Sequence, residues 1–205
     1  MVPTVTDPPG QLACIGADIS TGLTAICGER GLNALTADGL AVPLRSGAAD
    51  AAVSIAVLHH LSTAERRAAA VGEVLRVLRP GGTFMIQAWA KEQGADSKRT
   101  FEAQDVMVPW KFRTAYLTQA PAFPGGPRPE PGQEAPVAGM AEAWGGSVDA
   151  EADRVVFQRY CHVYVEGELA ELVAATPGAT VTKAWWERGN WCVTGVRDSA
   201  VASMG

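Results

Sequence analysis

Asp18 and Asp38 each close a short strand-like run, Cys14 to Ala17 in the first case and Asn33 to Ala37 in the second. An acidic residue at a strand tip is placed to accept hydrogen bonds from ribose hydroxyls in nucleotide-binding α/β sheets. It also serves as an ordinary turn or helix-entry residue, and spacing alone leaves both readings open. Two such tips in succession favour the ligand reading for each. His59 and His60 follow a third run, Ala51 to Leu58. That pair either places a substrate or caps the strand and the helix after it. Tyr160-Cys161-His162 and Arg188-Gly189-Asn190-Trp191 set polar groups beside aromatics. Such tracts suit stacking on a base, although tryptophan is commonly a core residue.

The elements that must position these residues centre on 50–90, DAAVSIAVLHHLSTAERRAAAVGEVLRVLRPGGTFMIQAWA. Ala51 to Leu58 lacks polar alternation, as a strand buried on both faces does. Ser62 and Glu65 have capping-box spacing, and Ala64, Ala68, Val71, Leu75 and Leu78 recur at helical spacing as the expected buried stripe. Pro80 ends the helix, and Gly81-Gly82 turn the chain into a strand from Thr83 to Ala88. The block is therefore a βαβ unit with parallel strands. Upstream, Cys14 to Asp18 reads as a strand, Ser20 caps a helix using Leu23, Ile26 and Cys27 that closes at Gly31, and Asn33 to Ala37 is a strand. This alternation is the order of a doubly wound α/β sheet. Downstream, a strand starts near Val155, a short helix spans 166–174, and Thr180 to Glu187 pairs with Asn190 to Arg197 as an antiparallel edge hairpin turned at Arg188-Gly189.

The 205 residues, 47% hydrophobic and 19% charged, suit one globular domain with a real core. Within it, 1–13 is an irregular N-terminus, 14–90 the nucleotide-binding core, 113–152 a proline- and glycine-rich insertion expected to be disordered, and 154–197 a C-terminal segment on the substrate side. No apolar run approaches the ~20 residues that span a bilayer, so no membrane partner is expected, and 1–11 does not resemble a signal peptide. Cys14, Cys27, Cys161 and Cys192 lack C-x-x-C spacing. They read as buried free thiols of an intracellular protein, with no metal expected. A net charge of −5 does not advertise nucleic-acid binding. However, 91–128 carries six basic residues, Arg99 among them, against four acidic ones, enough to help hold a phosphate backbone or simply to solvate a loop.

The run Asp38-Gly39-Leu40-Ala41-Val42-Pro43-Leu44-Arg45, then Leu58-His59-His60, STAERR, LRPGG and Trp89-Ala90, resembles the class I S-adenosylmethionine-dependent methyltransferases. DVMVPWKF (105–112), VFQRYCHVYVEGEL (156–169) and ERGNWCV (187–193) narrow the resemblance to the enzymes that methyl-esterify 5-carboxymethyluridine at the tRNA wobble position, including the methyltransferase half of the AlkB-type fusion. The resemblance implies a Rossmann-like, mostly parallel methyltransferase sheet ending in an antiparallel hairpin, with S-adenosylmethionine as cofactor. Asp18 and Ile19 would lie at the donor's ribose, Asp38 and Gly39 at its adenine, and Ile55, Ala56 and Val57 along the donor pocket. Arg159, His162 and His60 become the catalytic candidates, and Trp89, Tyr160, Asn190 and Trp191 the substrate-binding ones. It further implies a tRNA anticodon loop as partner, a small zinc-binding activator protein docked on the edge strand Ala34 to Ala37, and a cytoplasmic or nuclear location.

One family motif is missing. The family's first strand ends in a glycine-rich GCGxG loop, whereas MVPTVTDPPGQLA precedes Cys14 here. The first strand is therefore expected to be missing or replaced, with the glycine-rich loop upstream of Met1 or catalysis lost. A small-molecule methyltransferase and an inactive methyltransferase-like binding module stand as the alternative readings.

Overall fold

The computed structural model describes residues 2–6, 12–95, 97–114, 139, 141–142 and 145–199. Its centre is the expected βαβ unit. β5 (Ala49–Ile55) and β6 (Leu78–Trp89) pair in parallel, with Ala52 opposite Phe84 and Ser54 opposite Ile86. The crossover is α2 (Ala64–Val77), which starts one residue later than the capping-box reading. Thr63, not Ser62, is the N-cap, and its hydroxyl accepts from Arg66 N at 3.2 Å. The Glu65 carboxyl takes its own backbone N–H and the Thr63 hydroxyl, which lowers its pKa. The buried stripe is Ala70, Val71, Val74, Leu75 and Val77, so Ala64 is exposed and Ala68 only half-buried. Fully burying a Val or Leu is worth ~1.5–3 kcal/mol, so this stripe is what clamps the crossover to the sheet.

The β6 strand begins at Leu78, before Pro80-Gly81-Gly82, and runs through them with Gly81 at φ 73°. β11 (Asn190–Arg197) is antiparallel to β6, and β10 (Ala179–Glu187) lies outside it as the expected edge hairpin. Arg188 at φ 48° and Gly189 at φ 74° make the two-residue turn that matches strand twist. Gly195 is required by close approach: an added Cβ would overlap the Thr180 carbonyl oxygen and the Phe84 ring. Gly195→Ala should cost about 2 kcal/mol through overpacking. A chemical-denaturation midpoint unchanged from wild type would contradict that packing.

On the far side of β5 the N-terminus is not irregular. β1 (Val2–Thr6) pairs antiparallel with β5, and β2 (Leu12–Cys14) with β1, giving a six-stranded sheet of order β10-β11-β6-β5-β1-β2. A replacement strand thus fills the slot beside β5, and its direction carries the chain away from Ala56. β3 (Gly16–Asp18), α1 (Thr21–Glu29) and β4 (Ala34–Thr36) form a second βαβ unit, with β3 and β4 parallel in a sheet of their own. Ser20 caps α1 as expected, accepting from Leu23 N at 3.3 Å.

The core lies between the six-stranded sheet and two helices that touch each other, α2 and α3 (Glu168–Ala174). Phe84, Ile86 and Ala88 face it from β6, with Leu169 and Val173 from α3. Because both helices share one face, β5 is not buried on both sides: Val53 is half-buried and Ile55 is 53% exposed. Among the described residues no helix is long and apolar enough to cross a membrane. All four cysteines are free, but only Cys161 and Cys192 are buried, while Cys14 is exposed and Cys27 half-buried.

The chain divides into two compact units, 1–106 with 161–205, and 107–160. The second holds most of a three-stranded sheet of order β7-β9-β8, formed by β7 (Asp105–Arg113), β8 (Ser147–Asp149) and β9 (Arg154–His162). Within that unit Trp110 meets the Phe157 ring at 6.4 Å. β8 corrects the expected insertion at its C-terminal end, since Val148 pairs with Val155 there. The expected disorder over 115–138 lies outside the described residues.

Candidate functional site

At the C-terminal tips of β3, β4 and β5 a hollow of about 440 Å³ opens, lined by Asp18, Ile19, Asp38, Gly39, Ala56, Val57 and His60 among others. That volume falls within the ~300–1,000 Å³ range of small-molecule sites. Asp18 and Asp38 therefore face one shared space that also reaches Ala56. Each uses one carboxylate oxygen to tighten its own turn. Asp18 Oδ1 accepts from Ser20 N at 2.7 Å, and Asp38 Oδ1 accepts from Leu40 N at 2.9 Å. The turns thereby orient the carboxylates, and each second oxygen is suited to a ligand hydroxyl or amino group. The chemistry fits the nucleoside end of a methyl donor: two acceptors at neighbouring tips, over an apolar floor of Ala56 and Val57.

Ala56 follows β5 at φ 58°, a left-handed conformation unusual without glycine, and its N–H continues the ladder to Gln87 O at 3.0 Å. Strain of this kind concentrates where a site demands a particular backbone path. Here it turns the chain from β5 into a single 3₁₀ turn, Leu58–His60. Ile55 does not line the hollow, because strand alternation sends its side chain to the open face of the sheet.

The histidine pair splits its two readings. His59 is fully buried, stacks on Trp89 at 4.6 Å and accepts from Trp89 N at 3.3 Å through Nδ1, so it ties the ends of β5 and β6 together. His60 lines the hollow, with its Nδ1 3.7 Å from Cys161 Sγ. His59, His60 and Cys161 bring three metal-ligand atoms within 4.8 Å of one another, a cluster invisible in linear spacing. The Trp89 N–H opposes a cation there. A metal on His59 Nε2 would leave the ring proton on Nδ1, facing another donor.

Three of the substrate-side candidates are engaged in contacts of their own. His162 is 5% exposed, and its ring bridges two carboxylates, Nδ1 to Asp105 Oδ1 at 2.9 Å and Nε2 to Glu168 Oε1 at 2.7 Å. Glu168 Oε2 in turn accepts from Gln104 Nε2 at 2.6 Å and Val165 N at 3.1 Å. With both nitrogens bonded to carboxylates, His162 braces the chain around α3. Asn190 Nδ2 donates to Glu187 O at 3.3 Å and Arg188 O at 3.1 Å, closing the hairpin turn. Trp191 packs against the core and donates its indole N–H to Glu92 Oε2 at 3.0 Å. Trp89 stays on the site side, with Arg99 4.1 Å above its ring. Arg159 and Tyr160 lie half-buried on β9 in the second unit.

Sequence reasoning passed over Arg66, which also lines the hollow. Its signal is its place at the third helical position after the Thr63 cap, where a helix start faces the strand tips. Sequence reasoning missed Glu73 and Arg76 too. Arg76 donates to Glu73 at 2.6 and 2.8 Å and to the carbonyls of Val42 and Leu44, each at 2.7 Å, while Glu73 Oε2 accepts from Val42 N at 2.7 Å. This clamp holds the loop that follows Asp38 against α2. The Arg76 hydrogen bonds keep the Glu73 carboxyl below its ordinary pKa, and Glu73 in turn raises that of Arg76.

Residues 5–86 match a family model described as a methyltransferase domain. The tRNA (carboxymethyluridine(34)-5-O)-methyltransferase of Schizosaccharomyces pombe is 37% identical over 182 residues, covering 87% of this chain and 70% of that protein. The tRNA (carboxymethyluridine(34)-5-O)-methyltransferase ALKBH8 of Macaca fascicularis is 30% identical over 254 residues, covering 89% of this chain. The chain spans only about a third, 35%, of that larger relative's length. Among solved structures, an S-adenosylmethionine-dependent methyltransferase from Methanosarcina mazei shares the fold with a TM-score of 0.54 at 14% identity, covering 90% of this chain and 82% of that one.

Proposed function

Since the chain belongs to the tRNA (carboxymethyluridine(34)-5-O)-methyltransferase family, we propose that it esterifies 5-carboxymethyluridine at the tRNA wobble position. The observation that carries this reading is the single hollow shared by Asp18, Asp38 and Ala56. Held by Asp18, Asp38 and the Ala56 turn, S-adenosylmethionine would supply an electrophilic methyl group to the substrate carboxylate, its thioether being the leaving group. A carboxylate with a pKa near ~4 is already ionised at neutral pH, so no side chain must remove a proton. The protein's part is placement. Asp18 and Asp38 hold the nucleoside end, the Ala56 turn shapes the floor, and His60 and Trp89 border the side where the acceptor enters. Near-attack positioning of this kind accounts for a large share of a transfer barrier.

The partners follow the same reading. A tRNA anticodon loop supplies the acceptor. A small activator protein would add to β4, which among the described residues pairs only with β3 and leaves its other edge open. The same βαβ unit exposes apolar side chains on α1 and its turns: Leu23 is 54% exposed, Ile26 42% and Leu32 58%.

Calorimetric titration with S-adenosylmethionine, followed by incubation with anticodon stem-loops, tests the function. Binding, and incorporation of a base-labile methyl ester into the loop carrying 5-carboxymethyluridine but not into the uridine loop, is the expected result. A chain that does not bind S-adenosylmethionine cannot be this enzyme. The antiparallel course of β1 favours a second reading, a nucleoside-binding module without turnover, because the slot beside β5 holds no strand running toward the donor site. Adenosine binding with no methyl incorporation would select it.

A further inference from the structure

One cation near the site has no role in the scheme above. Arg99 is exposed, yet its guanidinium is held 4.1 Å over the Trp89 ring. The same indole stacks against His59 at 4.6 Å and lies 6.3 Å from Phe101, so it is a fixed platform and not a loose side chain. Trp89 ends β6, and its ring is 6.4 Å from His60, which lines the hollow. Arg99 thus stands two rings away from the donor cavity.

The loop that carries it is built. Gln93 Nε2 donates to Ala90 O at 2.7 Å and Gly189 O at 3.1 Å, Ser97 Oγ donates to Gln93 Oε1 at 2.9 Å, and Arg99 N donates to Ser97 Oγ at 3.1 Å. Trp186 adds a tie through its indole N–H to Glu92 O at 2.9 Å. A guanidinium held over an indole face by cation–π attraction still presents a planar fork of N–H donors around its rim. That fork matches the two oxygens of a carboxylate or a phosphate.

We propose that Arg99 is a specificity-determining residue that receives an oxyanion of the substrate RNA, either the carboxylate of the modified uridine or a phosphate flanking it. The inference rests on the RNA-methylating reading and assigns the anion-binding role to a residue of the donor-site unit. Trp89 has a second function on this account: it positions the guanidinium and offers an edge to the base.

The test uses the full chain, wild type and Arg99→Ala and Arg99→Lys, with fluorescently labelled anticodon stem-loops carrying uridine or 5-carboxymethyluridine. Calorimetry with S-adenosylmethionine serves as the fold control. Arg99→Ala should weaken loop binding about tenfold, with lysine restoring only part because it lacks the planar fork. Loss confined to the carboxymethyl loop identifies the carboxylate. Equal loss on both loops, with the salt dependence reduced by about one unit of slope, identifies a phosphate. Equal affinities of wild type and Arg99→Ala for both loops would overturn the inference alone. A wild-type protein that binds the methyl donor but neither loop would overturn the RNA reading and this inference with it.

Discussion

Arg76→Ala is expected to lower unfolding free energy by about 3 kcal/mol and to weaken S-adenosylmethionine binding at the same time. The guanidinium satisfies the carbonyls of Val42 and Leu44 and pairs through two nitrogens with Glu73. Hydrogen bonds to charged groups contribute ~1.5–3 kcal/mol each. Water can replace part of them, because the Arg76 and Glu73 side chains are 32% and 16% exposed, which keeps the total well below the sum. The loop released is the one that continues from Asp38, so its loosening raises the ordering cost of ligand binding. A pH dependence follows with a definite sign. The folded-state pKa of Glu73 is depressed, chiefly by the Arg76 hydrogen bonds. Its contribution is present above the ordinary value near 4.5 and is lost as pH falls through the depressed folded value. The destabilisation by Arg76→Ala should therefore shrink between pH 7 and strongly acidic solution. Urea unfolding at several pH values reads both effects, and a loss below about 1 kcal/mol at pH 7 would mean that the clamp is ornamental.

The elements legible in the sequence are those whose signal is local. Ala51 to Ile55, the helix after Thr63 and the turn at Arg188-Gly189 each announce themselves within a few residues, through apolar runs, caps and turn chemistry. Asp18 and Asp38 stand out for the same reason, as acids at the ends of such runs, and both line one hollow. The contacts that are not legible are those with partners far along the chain. His162 reads as a free imidazole beside aromatics until Asp105, 57 residues earlier, arrives at its Nδ1. His59 and His60 look equivalent as neighbours, but a 3₁₀ turn sends one ring into the core and the other to the cavity. Arg99 carries no local signal, since its position is set by Trp89 and by a tether through Gln93 to Gly189. The N-terminal residues lack the expected motif, and periodicity alone could not foretell that Val2–Thr6 would fill the slot beside β5 in reverse.

Asp18→Ala and Asp38→Ala should each weaken S-adenosylmethionine binding by tenfold to a hundredfold, the range expected for losing one charged hydrogen bond, ~1.5–3 kcal/mol. Alanine also removes the acceptor that tightens each turn, so on its own it confuses ligand contact with loop shape. The asparagine variants separate the two. Asparagine keeps an oxygen for Ser20 N or Leu40 N, while its amide end replaces the ionised acceptor facing the hollow. If the carboxylates grip the ligand, Asp18→Asn and Asp38→Asn fall close to their alanine counterparts in calorimetry while thermal stability stays near wild type. If they only shape turns, the asparagine variants bind like wild type and the alanine variants do not, and the nucleoside end of the donor must be held elsewhere. Titrating free adenosine in parallel localises the effect, because losing an acid that contacts the ribose or the base weakens adenosine and the whole donor by the same factor.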